Sequence, residues 1–165
     1  MDEIDLKIIS ALQKDGRIAN AEIARQVGMA PSAVLERIRR LEERGVITGY
    51  HAQVAPVQVG RSLLAFVLVR TDERTGEHDT AKSLVEIPDV LEVHHVAGQD
   101  CYLLKVRCEN TEEFGRLLRD RVGSIATVRS TQSTIVLGTF KESMTLPLAA
   151  GEAVTTNGKK SGARR

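Results

Sequence analysis

The 165 residues include 23 basic and 22 acidic side chains, and the resulting formal charge of +1 excludes a protein that binds nucleic acid through overall basicity. Hydrophobic residues make up 42% of the sequence but aromatic residues only 3%, a composition that indicates a soluble globular protein with an aliphatic core. Without a run of eighteen apolar residues or a signal-peptide pattern at MDEIDLK, the chain is expected to be cytoplasmic, with no membrane span.

Three helices are predicted in the first fifty residues, where apolar side chains recur at helical spacing. Gly16 and Gly28 are expected to end the first two helices. Asn20 is expected to cap the second helix and Pro31 to open the third. The stretch VITGYHAQV, residues 46–54, is predicted to form a short strand or wing. A short helix, a glycine turn and a proline-led helix, followed by a wing, are typical of a winged helix-turn-helix.

Strand periodicity takes over from residue 62. The predicted strands span residues 63–69, 90–97, 101–108 and 125–140, and the predicted helices span residues 78–87 and a segment capped by Asn110 or Thr111. The second and third strands are expected to form a hairpin that turns at GQD. The order strand, helix, strand, strand, helix, strand predicts a ferredoxin-like βαββαβ domain.

The first predicted strand is apolar on both of its faces. One face would carry Leu63, Ala65, Val67 and Val69, and the opposite face Leu64, Phe66 and Leu68. Two helices cover only one face of a four-stranded antiparallel sheet, so a second chain is expected to cover the other face, sheet against sheet. The pattern therefore predicts a homo-oligomer.

These elements combine into an α+β chain with two domains. Residues 1–61 are predicted to form a winged helix-turn-helix domain with its connector, and residues 62–144 a ferredoxin-like domain through which the chain oligomerises. Residues 145–165 are small and polar with a basic end, a composition that predicts a disordered tail.

The third predicted helix, PSAVLERIRRLEERG at residues 31–45, has four arginines within eight residues, preceded by a turn of small residues. With its apolar side chains facing inward, the helix presents serine, glutamate and arginine outward. Such a helix fits the major groove, where arginine pairs with phosphates or guanine edges. The expected DNA-binding residues are Ser32, Ala33, Glu36, Arg37, Arg39 and Arg40. The alternative is a solvated helix whose arginines are offset by glutamates, but the helix-turn-helix context favours double-stranded DNA.

The sequence resembles the Lrp/AsnC family, the feast/famine regulators of bacteria and archaea. The matching stretches follow the chain through both domains: DEIDLKIISALQKDGRIANAEIARQVGMAPSAVLERIRRLEERGVITGY, SLLAFVLV, HHVAGQDCYLLKV and STIVLGTFKE. The resemblance implies a transcription regulator that dimerises through its ferredoxin-like domain, often assembles into octamers, and binds an amino acid between dimers. It also implies that residues 21–40 read DNA. Ala30 departs from the serine that the family often places there, which removes a helix cap worth roughly 1 kcal/mol.

The stretch AGQDCYLLKV, residues 97–106, is the expected effector site. A turn at Gly98 would expose backbone N–H groups to an effector carboxylate, and Asp100 would accept a hydrogen bond from its ammonium group. The resemblance implies an effector-binding set of Gly98, Gln99, Asp100, Cys101, Tyr102, Ser133 and Thr134. Relatives commonly have an acidic residue and an aspartate where this chain has Gln99 and Cys101, so the carboxylate has moved one place. The open alternative is a hairpin at a subunit contact without a ligand.

The remaining candidates for chemistry are two cysteines and two histidines. Cys101 and Cys108 are an odd number of residues apart on the predicted strand, so they are expected to face opposite ways and form no disulfide. His94 and His95 are adjacent and also face opposite ways, so no metal site or cofactor is expected. Without a phosphate-binding loop or catalytic triad, the chain is not expected to be an enzyme. Two alternatives stay open: a thiol- or metal-responsive regulator that uses Cys101, and a small-molecule-binding ferredoxin-like protein whose helices serve only assembly.

Overall fold

The computed structural model describes residues 1–74, 76–98 and 101–148. These residues form two compact units, one made of Met1–Ala52 and the segment that begins at Ser143, the other of Gln53–Glu142. Most of the predicted tail, residues 149–165, lies outside the described residues. Among the described helices, none combines the length and the apolar character that crossing a membrane requires.

The first unit contains three helices: α1 at Glu3–Lys14, α2 at Asn20–Val27 and α3 at Pro31–Glu43. Their apolar faces enclose a small core of Ile8, Ile23, Ala24, Val34, Ile38 and Leu41. The predicted turn is confirmed, since Gly28 ends α2 with a left-handed φ of 69° and Pro31 opens α3. The predicted cap of α2 is wrong by one residue. The carbonyl of Ala19 accepts two N–H groups of the first turn, so Ala19 is the N-cap and Asn20 lies within the helix.

Residues 46–54, the predicted wing, form no strand within the described part of the chain. The N–H groups of Val46 and Ile47 donate to the carbonyl of Leu41, at 2.9 Å and 3.1 Å, and so close the C-terminal end of α3. Tyr50 anchors the segment further, because its hydroxyl donates to Glu42 at 2.9 Å. The strand prediction is wrong because strand-like composition needs a partner strand, and the described part of this unit offers none.

The second unit is a four-stranded antiparallel sheet with two longer helical segments. Its strands are β1 at Leu63–Thr71, β2 at Val90–His95, β3 at Tyr102–Cys108 and β4 at Val128–Ile135. Its helices are α4 at Asp79–Val85 and α5 at Thr111–Arg116, which continues as π-helix over Leu117–Val122, and a short 3-10 helix at Pro56–Val59 precedes β1. The spatial order β2-β3-β1-β4 confirms the ferredoxin-like prediction.

β4 and α4 are each at least three residues shorter than predicted, although the order of the elements is unchanged. β4 ends at Ile135 rather than near residue 140, because its partner strand β1 begins only at Leu63 and Ile135 already pairs with Ala65. Only Val136 still reaches that strand, by donating its N–H to the carbonyl of Leu64. α4 is shorter than the predicted residues 78–87 because His78 and Glu86 are its two caps.

The sheet has one face buried by its own helices. On that face Ala65, Val67 and Val69 of β1 pack with Leu84 of α4 and Phe114 of α5. The opposite face carries Leu64, Phe66 and Leu68 of β1, as the alternating pattern predicts, and Phe66 remains 37% exposed there. We call this second face the open face of the sheet.

The residues after β4 turn back across the open face. The carboxylate of Glu142 binds Lys105 Nζ at 2.5 Å and Arg107 Nη2 at 2.8 Å, both on β3. Between this segment and the sheet lies a groove of about 350 Å³. Leu137 and Phe140 of the same segment are fully exposed. The open face therefore ends in an apolar surface that a single chain leaves in contact with water.

Candidate DNA-binding and effector sites

The predicted DNA-binding residues lie on one side of α3. Ser32, Glu36, Arg39 and Arg40 are exposed, and Ala33 is half-buried beside them. The pattern follows from the helical period, because Val34, Ile38 and Leu41 turn the opposite side of α3 into the core. Pro31 and the small residues behind it keep the N-terminal turn narrow, so that end of α3 can approach a base pair closely.

The exposed arginines differ in how strongly they are engaged. Arg40 Nε lies 3.5 Å from Glu36 Oε1, one helical turn away, which is a weak and solvated ion pair. Arg39 and Arg44 form no ion pair among the described residues. Arg40 and Arg44 also line one small cleft, of about 70 Å³. Arg44 was missing from the predicted set, although its spacing of four residues from Arg40 was a usable signal.

Arg37 is in a different environment from the other three arginines. Its Nη1 donates to Asp2 Oδ2 at 2.8 Å and to Asp5 Oδ1 at 2.6 Å, and its side chain is only 24% exposed. The backbone N–H of Asp5, and then the Arg37 guanidinium, hold the pKa of Asp2 below its ordinary value. The structure thus directs Arg37 toward α1, whereas the sequence placed it with the DNA-binding group.

The predicted effector stretch lies at the turn between β2 and β3. Gln99 and Asp100 lie outside the described residues, and Gly98 has a φ of 142°, which favours glycine. The backbone of Cys101 belongs to the sheet, because its N–H donates to Val69 and its carbonyl accepts from Val96, both at 2.9 Å. The main chain of Cys101 is therefore not available to a ligand.

Tyr102 begins β3 and is buried in the core, with 2% exposure. Its hydroxyl donates to Glu73 Oε2 at 3.1 Å, and burial followed by this bond raises the pKa of Tyr102 to about 12. Glu73 also accepts the N–H of Thr80, at 2.6 Å, at the start of α4. The phenol thus ties the hairpin to the loop before α4, and it does not face solvent at the turn.

Ser133 and Thr134 lie on β4 and are exposed. They pair with Val67 and Phe66 of β1, whereas the hairpin meets β1 from the other side, through β3. The two groups of predicted effector residues are therefore separated by β1 within one chain. Within one chain, a ligand that contacts both groups would have to extend across β1.

The two histidines make separate contacts. His94 Nε2 lies 3.1 Å from Glu92 Oε2, while the ring of His95 is 5.4 Å from the ring of Tyr102 and 5.5 Å from that of His78. Among the described residues, no group of three or more His, Cys, Asp and Glu side chains is arranged to hold a metal ion.

Both cysteines are free thiols. Cys108 is 1% exposed within the core, as a small apolar residue would be, and Cys101 packs against the same core from just outside β3. The expectation that the two side chains lie on opposite faces of the sheet stays a prediction.

The burial of Cys108 can be tested with a Cys101→Ser variant, which leaves it as the sole thiol. Burial raises the pKa of Cys108 to about 11, so roughly one thiol in ten thousand is ionised at pH 7. We expect a thiol reagent to modify this variant only as fast as it unfolds, and at once in denaturant. Rapid modification of the native variant would contradict the buried position.

Comparison with known proteins accounts for both units. A winged helix-turn-helix DNA-binding model matches residues 1–48, and an Lrp/AsnC ligand binding domain model matches residues 64–146. HTH-type transcriptional regulator FL11 of Pyrococcus furiosus is 41% identical over 149 residues, which cover 90% of this chain and 97% of that protein. The chain belongs to the Lrp/AsnC family. It is a DNA-binding transcription regulator, and the resemblance drawn from its sequence is confirmed.

Solved structures of Lrp/AsnC relatives agree with the fold. A transcriptional regulator of Neisseria meningitidis in complex with L-Met matches with a TM-score of 0.84 and 32% identity, over 90% of this chain and 97% of that one. A feast or famine regulatory protein of Mycobacterium tuberculosis complexed with L-methionine matches with a TM-score of 0.81 and 38% identity, over 88% and 97%. The order of a DNA-binding unit and a ferredoxin-like unit is thus that of the family.

Proposed function

We propose that this regulator binds duplex DNA as a dimer through the outer face of α3, and that an amino acid bound between subunits changes its assembly or DNA affinity. The observation that carries the proposal is the outer side of α3, where Arg39 and Arg40 are exposed beyond a narrow N-terminal turn. Such a dimer works in the cytoplasm, and the family resemblance favours further assembly into an octamer.

The residues of α3 divide by the DNA groups they suit. Ser32 and Ala33, at the N-terminal turn, suit contact with base edges, and Glu36 suits the amino group of cytosine. Arg39 and Arg40 suit guanine edges or phosphates, and Arg44, at the end of the helix, suits a phosphate. Base contacts near the start of the helix and phosphate contacts near its end are the usual arrangement of a recognition helix.

The effector part of the proposal concerns the turn between β2 and β3. An amino acid presents a carboxylate, an ammonium group and a side chain, and the sequence supplies Asp100 for the ammonium group. Ser133 and Thr134 of a second chain would supply hydroxyl donors for the carboxylate, since β1 separates them from the turn of their own chain. Two relatives were solved with L-methionine, so an amino acid with a flexible apolar side chain is the first candidate.

A thermal-shift screen of the twenty amino acids tests this part. Binding at a hundred times Kd stabilises the folded state by about 2.7 kcal/mol, which raises the melting temperature by several degrees. We expect at least one amino acid to do so and to change either the mass in solution or the affinity for DNA. Asp100→Asn should abolish the shift and leave the affinity for DNA without effector unchanged.

The screen also separates the alternatives. If no amino acid changes melting temperature, mass or affinity, the effector proposal fails and the hairpin is a subunit contact. If Cys101→Ser abolishes the response while DNA affinity is intact, the thiol-responsive alternative is favoured. If the protein binds no duplex even at low salt, the helices serve only assembly and the DNA part of the proposal fails.

A further inference from the structure

Arg37 lies between two carboxylates at the start of α1. Its Nη1 donates to Asp2 at 2.8 Å and to Asp5 at 2.6 Å, across more than thirty residues of sequence. Asp5 is one of two buried polar residues in the described chain, and Arg37 is half-buried. No other hydrogen bond or ion pair joins α1 to α3 among the residues that the structure describes.

The same two carboxylates cap α1. Asp5 donates its N–H to Asp2 Oδ1 at 2.8 Å, and Asp2 donates its N–H to Asp5 Oδ2 at 3.0 Å, so each closes the helix end for the other. The second oxygen of each carboxylate accepts from Arg37. All four carboxylate oxygens are therefore engaged, and Arg37 cannot leave without exposing two of them.

The charge of this cluster disfavours a DNA contact. Two carboxylates and one guanidinium sum to −1, so the attraction of Arg37 for a phosphate is offset by its own partners, and the unoffset positive charge of the cleft comes from Arg40 and Arg44. Arg39 and Arg44 have no carboxylate partner among the described residues, so their charge can attract phosphates. Arg37 thus differs from its neighbours on α3 in its charge environment as well as in its burial.

We propose that Arg37 is a positioning residue, which fixes the rotation and tilt of α3 against α1. In this way it orients Ser32, Arg39 and Arg40 toward DNA, and Arg37 itself does not contact the DNA. The apolar contacts beneath α3 are non-directional and tolerate small rotations, whereas hydrogen bonds from one guanidinium to two fixed carboxylates do not. A buried polar contact can fix the register of packed helices. The inference rests on the proposed role of α3 in binding DNA.

The test compares Arg37→Gln, Arg37→Lys and Asp5→Asn in the full chain, with Arg40→Gln as the variant that removes a direct interaction with DNA. The probes are a duplex selected by the wild-type protein from a randomised pool and a random duplex of equal length. Affinity for both is measured across a salt series, and the ratio of the two affinities gives the specificity. Removal of a charge from the protein changes the affinity for both duplexes. A change in the ratio of the two affinities therefore reports a change in the orientation of α3.

Arg37→Gln and Asp5→Asn are each expected to lower the specificity ratio roughly tenfold, the size of the effect of about one mismatched base pair, with the salt slope unchanged. Arg37→Lys should retain most of the ratio, because both hydrogen bonds come from the single nitrogen Nη1, a role that one ammonium group can also fill. Arg40→Gln should reduce the salt slope by about 0.9 for each phosphate that the variant no longer neutralises.

Three results would overturn the proposal. A salt slope that falls in Arg37→Gln as it does in Arg40→Gln would make Arg37 a phosphate ligand. A higher specificity in Asp5→Asn would mean that Asp5 holds Arg37 back from DNA. A lower melting temperature of Arg37→Gln and Asp5→Asn with an unchanged specificity ratio would mean that the cluster only stabilises the fold.

Two further comparisons keep the test decisive. If Arg37→Gln does not fold, Asp2→Asn takes its place, since the Asp2 side chain is 52% exposed and the substitution spares Asp5. The same direction of change is expected there, and an unchanged ratio would count against positioning. If Arg40→Gln keeps both the wild-type affinity for the selected duplex and the wild-type salt slope, it is the proposed role of α3 in DNA binding that fails, and not the role of Arg37.

Discussion

Phe66→Asp is expected to prevent the proposed dimer from forming and to leave single protomers in solution. Phe66 lies on the open face of the sheet and is 37% exposed within one chain, so the protomer tolerates a charge there. In a two-fold interface the substitution occurs twice, and each buried carboxylate costs several kcal/mol. We therefore expect self-association to weaken by at least roughly a thousandfold. Sedimentation or light scattering, at concentrations where the wild type is assembled, measures the change.

Phe66→Leu is the matched control for this prediction. It keeps an apolar side chain at the same place and should leave the mass in solution unchanged. Circular dichroism and a melting curve establish that the protomer of Phe66→Asp is folded. A folded Phe66→Asp protein with the mass of the wild type would show that the subunits meet through a different surface.

The open face illustrates which parts of the fold sequence alone can predict. Alternation along β1 revealed two apolar faces, and the order of strands and helices revealed that only one of them is covered. The return of the chain across the open face was not predictable. Glu142 meets Lys105 and Arg107 across more than thirty residues, and single charged residues give no periodic signal.

The strand predicted at residues 46–54 is absent for a related reason. Residues 46–54 have the composition of a strand, but a strand exists only where another strand can pair with it. The backbone of this segment instead completes the hydrogen bonds at the end of α3, through Val46 and Ile47. Propensity describes a residue by itself, whereas pairing depends on what the rest of the chain supplies.

At the candidate sites too, the sequence predicted some features and not others. Helical periodicity identified the outer face of α3 correctly, because burial of three apolar residues fixes which side chains face out. It could not separate Arg37 from Arg39, since the partners of Arg37 lie at the start of the chain. Tyr102 likewise appeared at the turn in sequence, but its hydroxyl is bound to Glu73 within the core. Roles of individual polar residues depend on long-range partners that local patterns do not contain.

Replacing both Arg39 and Arg40 with Gln is expected to lower the affinity for DNA by at least about a hundredfold. Each guanidinium contact with a guanine or a phosphate contributes about 1–3 kcal/mol, and every dimer carries the change twice. Neither side chain is held by a strong partner: Arg40 has a 3.5 Å contact with Glu36, and Arg39 has no ion pair among the described residues. Fluorescence anisotropy with a labelled duplex across a salt series measures affinity and slope together.

The salt slope of the double variant reports how many of the lost contacts were with phosphates. It should fall by about 0.9 for each phosphate left without its arginine, whereas removal of an interaction with a base edge lowers affinity for the selected duplex without changing the slope. Replacing Arg116 and Arg119 with Gln removes the same charge from exposed sites of the second unit, and should leave affinity within a few-fold of the wild type. If this control weakens binding as much as the α3 variant does, attraction depends on the charge of the whole protein. A selective effect of the α3 variant would instead make the outer face of α3 the DNA-contacting surface.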